Sequence, residues 1–183
     1  MDNIKDFFGD HDPETVMRLV QVGVDTFARE AGLEGNDIYE GLKDGNTAAQ
    51  TLGLTRQDLE VLYAVGFNLL NSGDLTKAED AFVHLCLIDP LEAKNHYCLG
   101  LSRQMAGKPA QAIDNYLNFL ALDATNPDGY LRYGECLLAT GDRAEALESF
   151  RLAAAEAEKV EGQAAALAEA RGRIEMLTQE MAP

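Results

Sequence analysis

The chain has 183 residues, enough for one domain with a substantial core, and 46% of them are hydrophobic. Its formal net charge of −16 argues against nucleic acid or an anionic membrane as a partner, since phosphate groups are bound by clustered Lys and Arg. The apolar runs are far shorter than a bilayer requires, and the acidic N-terminus lacks the apolar region of a secretory signal. We therefore expect a globular protein with no membrane span and no signal peptide.

The first 54 residues are predicted to form an N-terminal helical extension. The sequence Asp12-Pro13-Glu14 indicates a helix start, and apolar residues follow at helical spacing up to about Ala31. A second amphipathic segment is predicted from Asp37 to Leu42, and a turn at residues 43–46.

Four columns of residues then recur at a fixed interval of 34 positions. The columns are Gly66, Gly100 and Gly134; Gly73, Gly107 and Gly141; Ala78, Ala112 and Ala146; and Phe82, Tyr116 and Phe150. An interval of 34 residues is the spacing of the tetratricopeptide repeat, a pair of helices. We therefore predict an all-α fold in which residues 55–158 form a superhelix of three helix pairs, at about 59–92, 93–126 and 127–158. Stacked pairs of this kind form a concave surface rather than a catalytic cleft.

Turn and capping residues indicate where the helices of the array begin and end. Gly73-Asp74 is predicted to end one helix and cap the next. Asp89-Pro90 is predicted to close the first pair, with Asp as a helix cap and Pro at the first helical position. The sequences Gly107-Lys108-Pro109 and Asn126-Pro127 are interpreted as helix starts in the same way.

Residues 159–183 are predicted to form a C-terminal capping helix, because a solenoid needs a terminal element over its last repeat. Its apolar stripe consists of Val160, Ala164, Leu167, Ile174, Leu177 and Met181. Gly162 and Gly172 are expected to weaken this helix by roughly 1 kcal/mol each relative to Ala. The alternative is a coiled-coil dimer seam, which the short, Ala-rich stripe disfavours.

The first helix of each pair carries apolar residues on two sides. The residues predicted to pack inside the first pair are Leu62, Val65, Gly66 and Leu69. Tyr63, Phe67 and Leu70 form another stripe that must also be buried. Because the first helices of tetratricopeptide repeats line the concave face, the predicted peptide-binding groove consists of Tyr63, Phe67, Leu70, Asn71, Tyr97, Leu101, Gln104, Met105, Leu131, Glu135 and Leu138. The alternative interpretation is that these residues are simply core.

No catalytic residue, metal site or cofactor is predicted. The three histidines are isolated, and no phosphate loop or nucleophile motif is present. Cys86, Cys98 and Cys136 form no Cys-x-x-Cys pattern and lie in apolar helical contexts, so we expect core packing rather than disulfides. Together with the expected lack of a signal, they indicate a cytoplasmic protein.

A carboxylate clamp for the acidic C-terminus of a heat-shock chaperone is a common function of such arrays. It requires Lys and Asn at the inward positions. Tyr63, Phe67 and Leu101 occupy those positions here, and only Arg132 is suitable. The sequence therefore disfavours this function.

Several segments go beyond a generic repeat: LEVLYA at 59–64 with Phe67 and Asn68, GLSRQMAG at 100–107, GECLL at 134–138 with Gly141, and Gly45-Asn46-Thr47 followed by LGL at 52–54. These segments resemble the class II chaperones of type III secretion, which serve the pore-forming translocator proteins. The resemblance covers about residues 37–154. It implies a bacterial cytoplasmic chaperone, not an enzyme, that binds an extended N-terminal segment of a translocator in its groove.

The resemblance also implies groove residues and a homodimer. The family's groove aromatics match at Tyr63 and Phe67, whereas Leu70 stands where an aromatic residue is common. The family often dimerises through its N-terminal helices, and the candidates here are Val16, Leu19, Val20 and Phe27. The alternative function is a general tetratricopeptide adaptor or scaffold between two soluble proteins, with or without a regulatory role.

Overall fold

The computed structural model describes residues 40–41 and 44–180, and all regular structure within them is helical, which confirms the predicted all-α fold. The chain divides into two compact units, residues 1–55 and 56–183. In the first unit the described helix is α1 (Ala48–Thr51). In the second unit the helices are α2 (Arg56–Asn71), α3 (Leu75–Ile88), α4 (Ala93–Met105), α5 (Pro109–Leu122), α6 (Pro127–Thr140), α7 (Arg143–Ala157) and α8 (Ala164–Glu180).

After the helical residues 40–41, the described part of the first unit contains a turn and a short capped helix. Gly45 adopts a left-handed φ of 83°, in agreement with the turn predicted at this point. Thr47 and Gln50 then form a capping box, in which each side chain accepts a hydrogen bond from the other residue's backbone N–H. The predicted helix start at Asp12-Pro13-Glu14 lies outside the described residues, as do the dimerisation candidates Val16, Leu19, Val20 and Phe27.

In the second unit, each helix packs against the next one along the chain. The aromatic column meets the first glycine column in every pair. A methyl group placed on Gly66 would lie 3.1 Å from Phe82 Cζ, one on Gly100 would lie 3.0 Å from Tyr116, and one on Gly134 would lie 2.8 Å from Phe150. The glycines are therefore required by the close approach of the ring from the partner helix.

Most of the predicted helix starts in the array are confirmed. Asp74 and Asn126 cap α3 and α6 through their side chains, and Pro109 and Pro127 are the first residues of α5 and α6. The predicted start at Asp89-Pro90 is wrong, because α3 ends at Ile88 and α4 begins only at Ala93. These two residues belong to the intervening turn.

The predicted packing face of α2 is partly wrong. Leu62 and Val65 are 42% and 52% exposed, and the buried line of the helix runs through Gly66 and Leu70 instead. Half-buried Tyr63 lies one turn before Gly66 on the same side and packs on the Phe82 ring. A helix repeats every 3.6 residues, so residues 63, 66 and 70 share one face that Leu62 and Val65 do not.

Helix α8 packs on α7 and α6 through Ala166, Ala170 and Leu177, which are 7% exposed or less. Val160 is exposed, and Gly162 lies in the preceding turn with φ 92° rather than in the helix, so it does not weaken the helix as expected. Gly172 is helical, and a methyl group placed on it would have no neighbouring atom within 4 Å. Met181 lies outside the described residues.

Candidate functional site

The first helices of the three pairs, α2, α4 and α6, form a continuous surface that we call the groove. Contacts one repeat apart connect these helices. Lys94 Nζ lies 2.6 Å from Glu60 Oε1, and the Tyr63 hydroxyl lies 3.3 Å from Cys98 Sγ. Gln104 Nε2 donates to Glu135 Oε2 at 2.9 Å. The groove is thus built from residues that occupy equivalent or neighbouring positions of successive repeats.

The first-pair end of the groove is aromatic. The rings of Tyr63 and Phe67 stack with their centroids 6.0 Å apart, and Tyr63 meets the buried Phe82 edge-on at 5.7 Å. Phe67 is 40% exposed, a large fraction for a phenylalanine within a folded unit. Phe67 therefore offers an apolar surface that a ligand side chain can cover, and the neighbouring Tyr63 ring is fixed by its contact with Phe82.

Burial raises the pKa of the Tyr63 hydroxyl, as does its hydrogen bond to Cys98. Burial also raises the pKa of the Cys98 thiol. Both groups consequently remain protonated at neutral pH, and the contact between them carries no charge. A charge is nevertheless held against the Tyr63 ring: the Lys94 ammonium lies 4.7 Å from its centroid and is paired with Glu60.

The middle of the groove contains a half-buried Tyr97. Its ring meets the buried Tyr116 and Phe119 edge-on, at centroid distances of 5.8 and 5.1 Å. A cavity of about 360 Å³ opens beside it, and its lining includes Lys94, Phe119 and the carboxylates of Glu92, Asp123 and Asp128. Burial raises the pKa of the Tyr97 hydroxyl, so Tyr97 is a neutral hydrogen-bonding group in this surface.

The third-pair end of the groove is polar and internally hydrogen-bonded. The Tyr116 hydroxyl donates to Gln104 Oε1 at 2.7 Å. Glu135 accepts from Gln104 and, at 3.1 Å, from Arg132 Nη1. Arg173 Nη2, from α8, donates to the other carboxylate oxygen of Glu135 at 2.8 Å. This network connects helices of the second and third pairs with the C-terminal helix.

Two of the predicted groove residues are not available to a ligand. Leu70 and Leu131 are 2% and 4% exposed and belong to the core, so their assignment to the groove surface is corrected. Leu101 and Leu138 are half-buried; Leu101 packs against the core cluster that contains Leu70, and Leu138 against the one that contains Leu131. The exposed members are Phe67, Asn71 and Met105, and those half-buried are Tyr63, Tyr97, Leu101, Gln104, Glu135 and Leu138.

Sequence reasoning missed Lys94 and Arg173 as groove residues. Lys94 could have been found, because it follows Glu60 by 34 residues and opposite charges in one column favour a pair across repeats. Arg173 could not, because the C-terminal helix lies outside the repeated pattern and gives no register to compare.

The described residues contain no group of three or more His, Cys, Asp and Glu side chains placed to hold a metal ion. Cys86, Cys98 and Cys136 are free thiols, and Cys98 and Cys136 are buried in the core as predicted. Within residues 40–41 and 44–180, no helix combines the length and apolar character needed to cross a membrane.

The chain is similar to known type III secretion proteins, although no protein-family model matches it. Low calcium response locus protein H of Yersinia pestis is 34% identical over 112 residues, which are 61% of this chain and 67% of that protein. The crystal structure of PcrH of Pseudomonas aeruginosa with the chaperone binding region of PopD has a TM-score of 0.70 and 32% identity, covering 71% of this chain and 98% of PcrH.

The type III secretion chaperone SycD of Yersinia enterocolitica, in complex with a peptide of the translocator YopD, has a TM-score of 0.67 and 26% identity. That likeness covers 70% of this chain and 98% of SycD. The sequence comparison and the structural comparison therefore agree. The chain belongs to the class II chaperones of type III secretion, the family of PcrH and SycD.

Proposed function

We propose that this chain binds an extended segment of a translocator protein in the groove formed by α2, α4 and α6. The observation that carries the proposal is the exposed Phe67 ring, stacked on Tyr63 where the first repeat faces solvent. The complexes of PcrH with a region of PopD and of SycD with a peptide of YopD support a polypeptide segment as the ligand.

Apolar anchors on the segment would supply most of the binding free energy. Each anchor that is fully buried against Phe67, or beside Tyr97, would contribute roughly 1.5–3 kcal/mol. Ordering the extended segment offsets part of this gain, so two or three anchors are needed for stable binding. Polar groups such as the exposed Asn71 and the half-buried Gln104 would contact the segment's backbone.

The biological consequence that we propose is protection of the translocator before secretion. A translocator carries membrane-seeking segments that would aggregate or insert prematurely in the cell that makes it. The bound chaperone would cover such segments and, with its net charge of −16, keep the complex dissolved. We accordingly propose a cytoplasmic binding protein with no enzymatic activity.

The test is the substitution Phe67→Ala, with Val65→Ala as its matched control on the same helix. Both side chains are at least 40% exposed, but only Phe67 belongs to the groove's aromatic stack. We expect Phe67→Ala to weaken association with the co-expressed translocator by about 10- to 100-fold, because one anchor contact is lost. Calorimetric titration of the purified pair measures this change, and Val65→Ala should leave it unaltered.

Equal affinity for wild-type protein and Phe67→Ala would contradict the proposal. Tyr63→Ala is a poorer test. It removes the ring contact with Phe82 and the hydrogen bond to Cys98, so weaker binding could reflect a destabilised first pair. For the same reason, a Tyr63→Ala, Phe67→Ala double variant should melt at a lower temperature than the wild type.

A further inference from the structure

Glu135 is the most heavily hydrogen-bonded side chain of the groove surface. Gln104, Arg132 and Arg173 all donate to it, and its side chain is only 17% exposed. A carboxylate has about four lone-pair sites, so three donors already use most of the accepting capacity of Glu135. The groups of this network that still have unused hydrogen-bonding capacity are the guanidinium donors, Arg132 and Arg173.

Arg132 and Arg173 keep unused donors at the solvent side of the network. A guanidinium has five N–H groups. The described contacts of Arg173 are one hydrogen bond to Glu135 and a 3.9 Å approach to Glu169, which is half exposed and beyond hydrogen-bonding distance. Arg132 donates one hydrogen bond to Glu135, and its positive charge acts against the rise that burial causes in the pKa of the Tyr97 hydroxyl. Their side chains are 41% and 37% exposed respectively, so solvent reaches both.

Helix α8 is attached to the array by several contacts other than that of Arg173. Its buried face is apolar and consists of Ala166, Ala170 and Leu177. Two further ion pairs, Arg171 with Glu158 and Arg143 with Glu180, connect α8 to the chain before it. Arg173 differs from these residues because its partner lies on α6, in the groove surface.

We propose that α8 is a working part of the groove: Arg173, together with Arg132, donates hydrogen bonds to backbone carbonyl oxygens of the bound segment. The inference rests on the proposed function and assigns a ligand-contacting role to a helix that the repeat pattern treats only as a cap. Carbonyl oxygens are the expected acceptors because an extended segment leaves its backbone unpaired, and each unpaired group must find a partner on binding. Glu135 holds both guanidiniums in place for this purpose.

The test compares Arg173→Gln with Arg171→Gln. Both residues lie on α8, and each forms one close ion pair, Arg171 with Glu158 and Arg173 with Glu135. Only the Arg173 side chain reaches the groove. The probe is a fluorescein-labelled synthetic peptide covering the translocator segment that is protected from protease in the co-purified complex. We expect Arg173→Gln to raise the dissociation constant about five- to tenfold in fluorescence anisotropy, Arg171→Gln to leave it unchanged, and Arg173→Lys to retain part of the affinity.

A second set of peptides separates ligand contact from a merely structural role. In each peptide, one amide is replaced by an ester, whose carbonyl is a weaker acceptor. We expect an ester at one or two positions to weaken binding to the wild type and to have no additional effect on Arg173→Gln. If no ester distinguishes the two proteins, or if Arg173→Gln and Arg171→Gln bind alike, the inference is wrong.

The inference and the proposed function fail in different ways. If Phe67→Ala weakens binding while Arg173→Gln does not, the groove binds the segment without α8. If no translocator segment is protected from protease, or if it binds Phe67→Ala and Arg173→Gln as well as the wild type, both proposals are wrong.

Discussion

At the scale of single residues, one contact recurs in all three helix pairs. A glycine on the first helix admits an aromatic ring from the second: Phe82, Tyr116 and Phe150 are each 0% exposed. The glycine lowers the intrinsic stability of its helix, and the buried ring more than offsets that loss. A glycine therefore favours stability where a ring packs against it, and lowers stability at a helical position where nothing does.

This difference predicts opposite signs for one substitution at two sites. A methyl group at position 134 would lie 2.8 Å from the fully buried Phe150, so we expect Gly134→Ala to lower the free energy of unfolding by about 1–3 kcal/mol. Gly172 in α8 has open space instead, so Gly172→Ala should raise it by about 1 kcal/mol. Urea unfolding followed by circular dichroism measures both, and a stabilising Gly134→Ala would contradict the packing described here.

The repeated glycine and aromatic columns could be predicted from the sequence because their interval is fixed. Which apolar stripe of α2 is buried could not. Leu62, Val65 and Leu70 are all apolar, and a periodic pattern cannot distinguish two adjacent apolar faces of one helix. The decision depends on where the partner helix lies, and this places Leu70 in the core and leaves Leu62 and Val65 exposed.

At the scale of helices, an ion-pair cluster holds the first pair to the second. Glu79 on α3 pairs with Lys108, in the turn after α4, at 2.7 Å and with Arg103 Nε on α4 at 3.0 Å. Arg103 also donates to the buried Asn115 on α5 at 2.8 Å. The Glu79 side chain is 15% exposed, so solvent screens this cluster less than the surface pairs elsewhere.

This cluster predicts a pH-dependent contribution to stability. The hydrogen bond from Lys108 and that from Arg103 hold the pKa of Glu79 below its ordinary value of 4.5. A carboxyl group with a lowered folded-state pKa stabilises the protein above its unfolded-state pKa, and this stabilisation is lost as the pH falls through the folded-state pKa. We expect Glu79→Gln to lower the free energy of unfolding by roughly 1–2 kcal/mol at pH 7 and by much less at pH 3.

Denaturant unfolding of the wild type and Glu79→Gln at the two pH values tests this expectation. Asp74→Asn is a useful control, because its partner Lys77 lies in the first turn of the helix that Asp74 caps and both side chains are solvent-exposed. A Glu79→Gln effect that does not change between pH 7 and pH 3 would show that the cluster acts by packing rather than by charge.

Helix boundaries were predictable where the side chain of the capping residue decides them. Asp74 and Asn126 accept hydrogen bonds from the first turns of α3 and α6, as their sequence positions indicate. Asp89-Pro90 has the same local signature, but Asp89 ends α3 and residues 90–92 form a turn before α4. A proline fits the first turn of a helix and a connecting turn equally well, so local sequence could not separate the two outcomes.

At the scale of the whole molecule, exposed apolar side chains are found outside the groove as well as in it. The second helices of the pairs also expose apolar residues, including Leu87 on α3 at 67% and Leu152 on α7 at 48%. Leu152 lines a second cavity of about 430 Å³ between α5, α6 and α7. Exposure alone therefore does not select the groove, and the location of the translocator on the chaperone needs a direct measurement.

Site-specific photo-crosslinking provides that measurement. We would place p-benzoyl-phenylalanine singly at positions 67, 87 and 152 of the full chain, each with the translocator co-expressed, and identify the crosslinked peptides by mass spectrometry. We expect one extended translocator segment to be crosslinked from position 67, and positions 87 and 152 to yield none of that segment. Crosslinks to it from positions 87 or 152 but not from 67 would show that the translocator binds outside the groove.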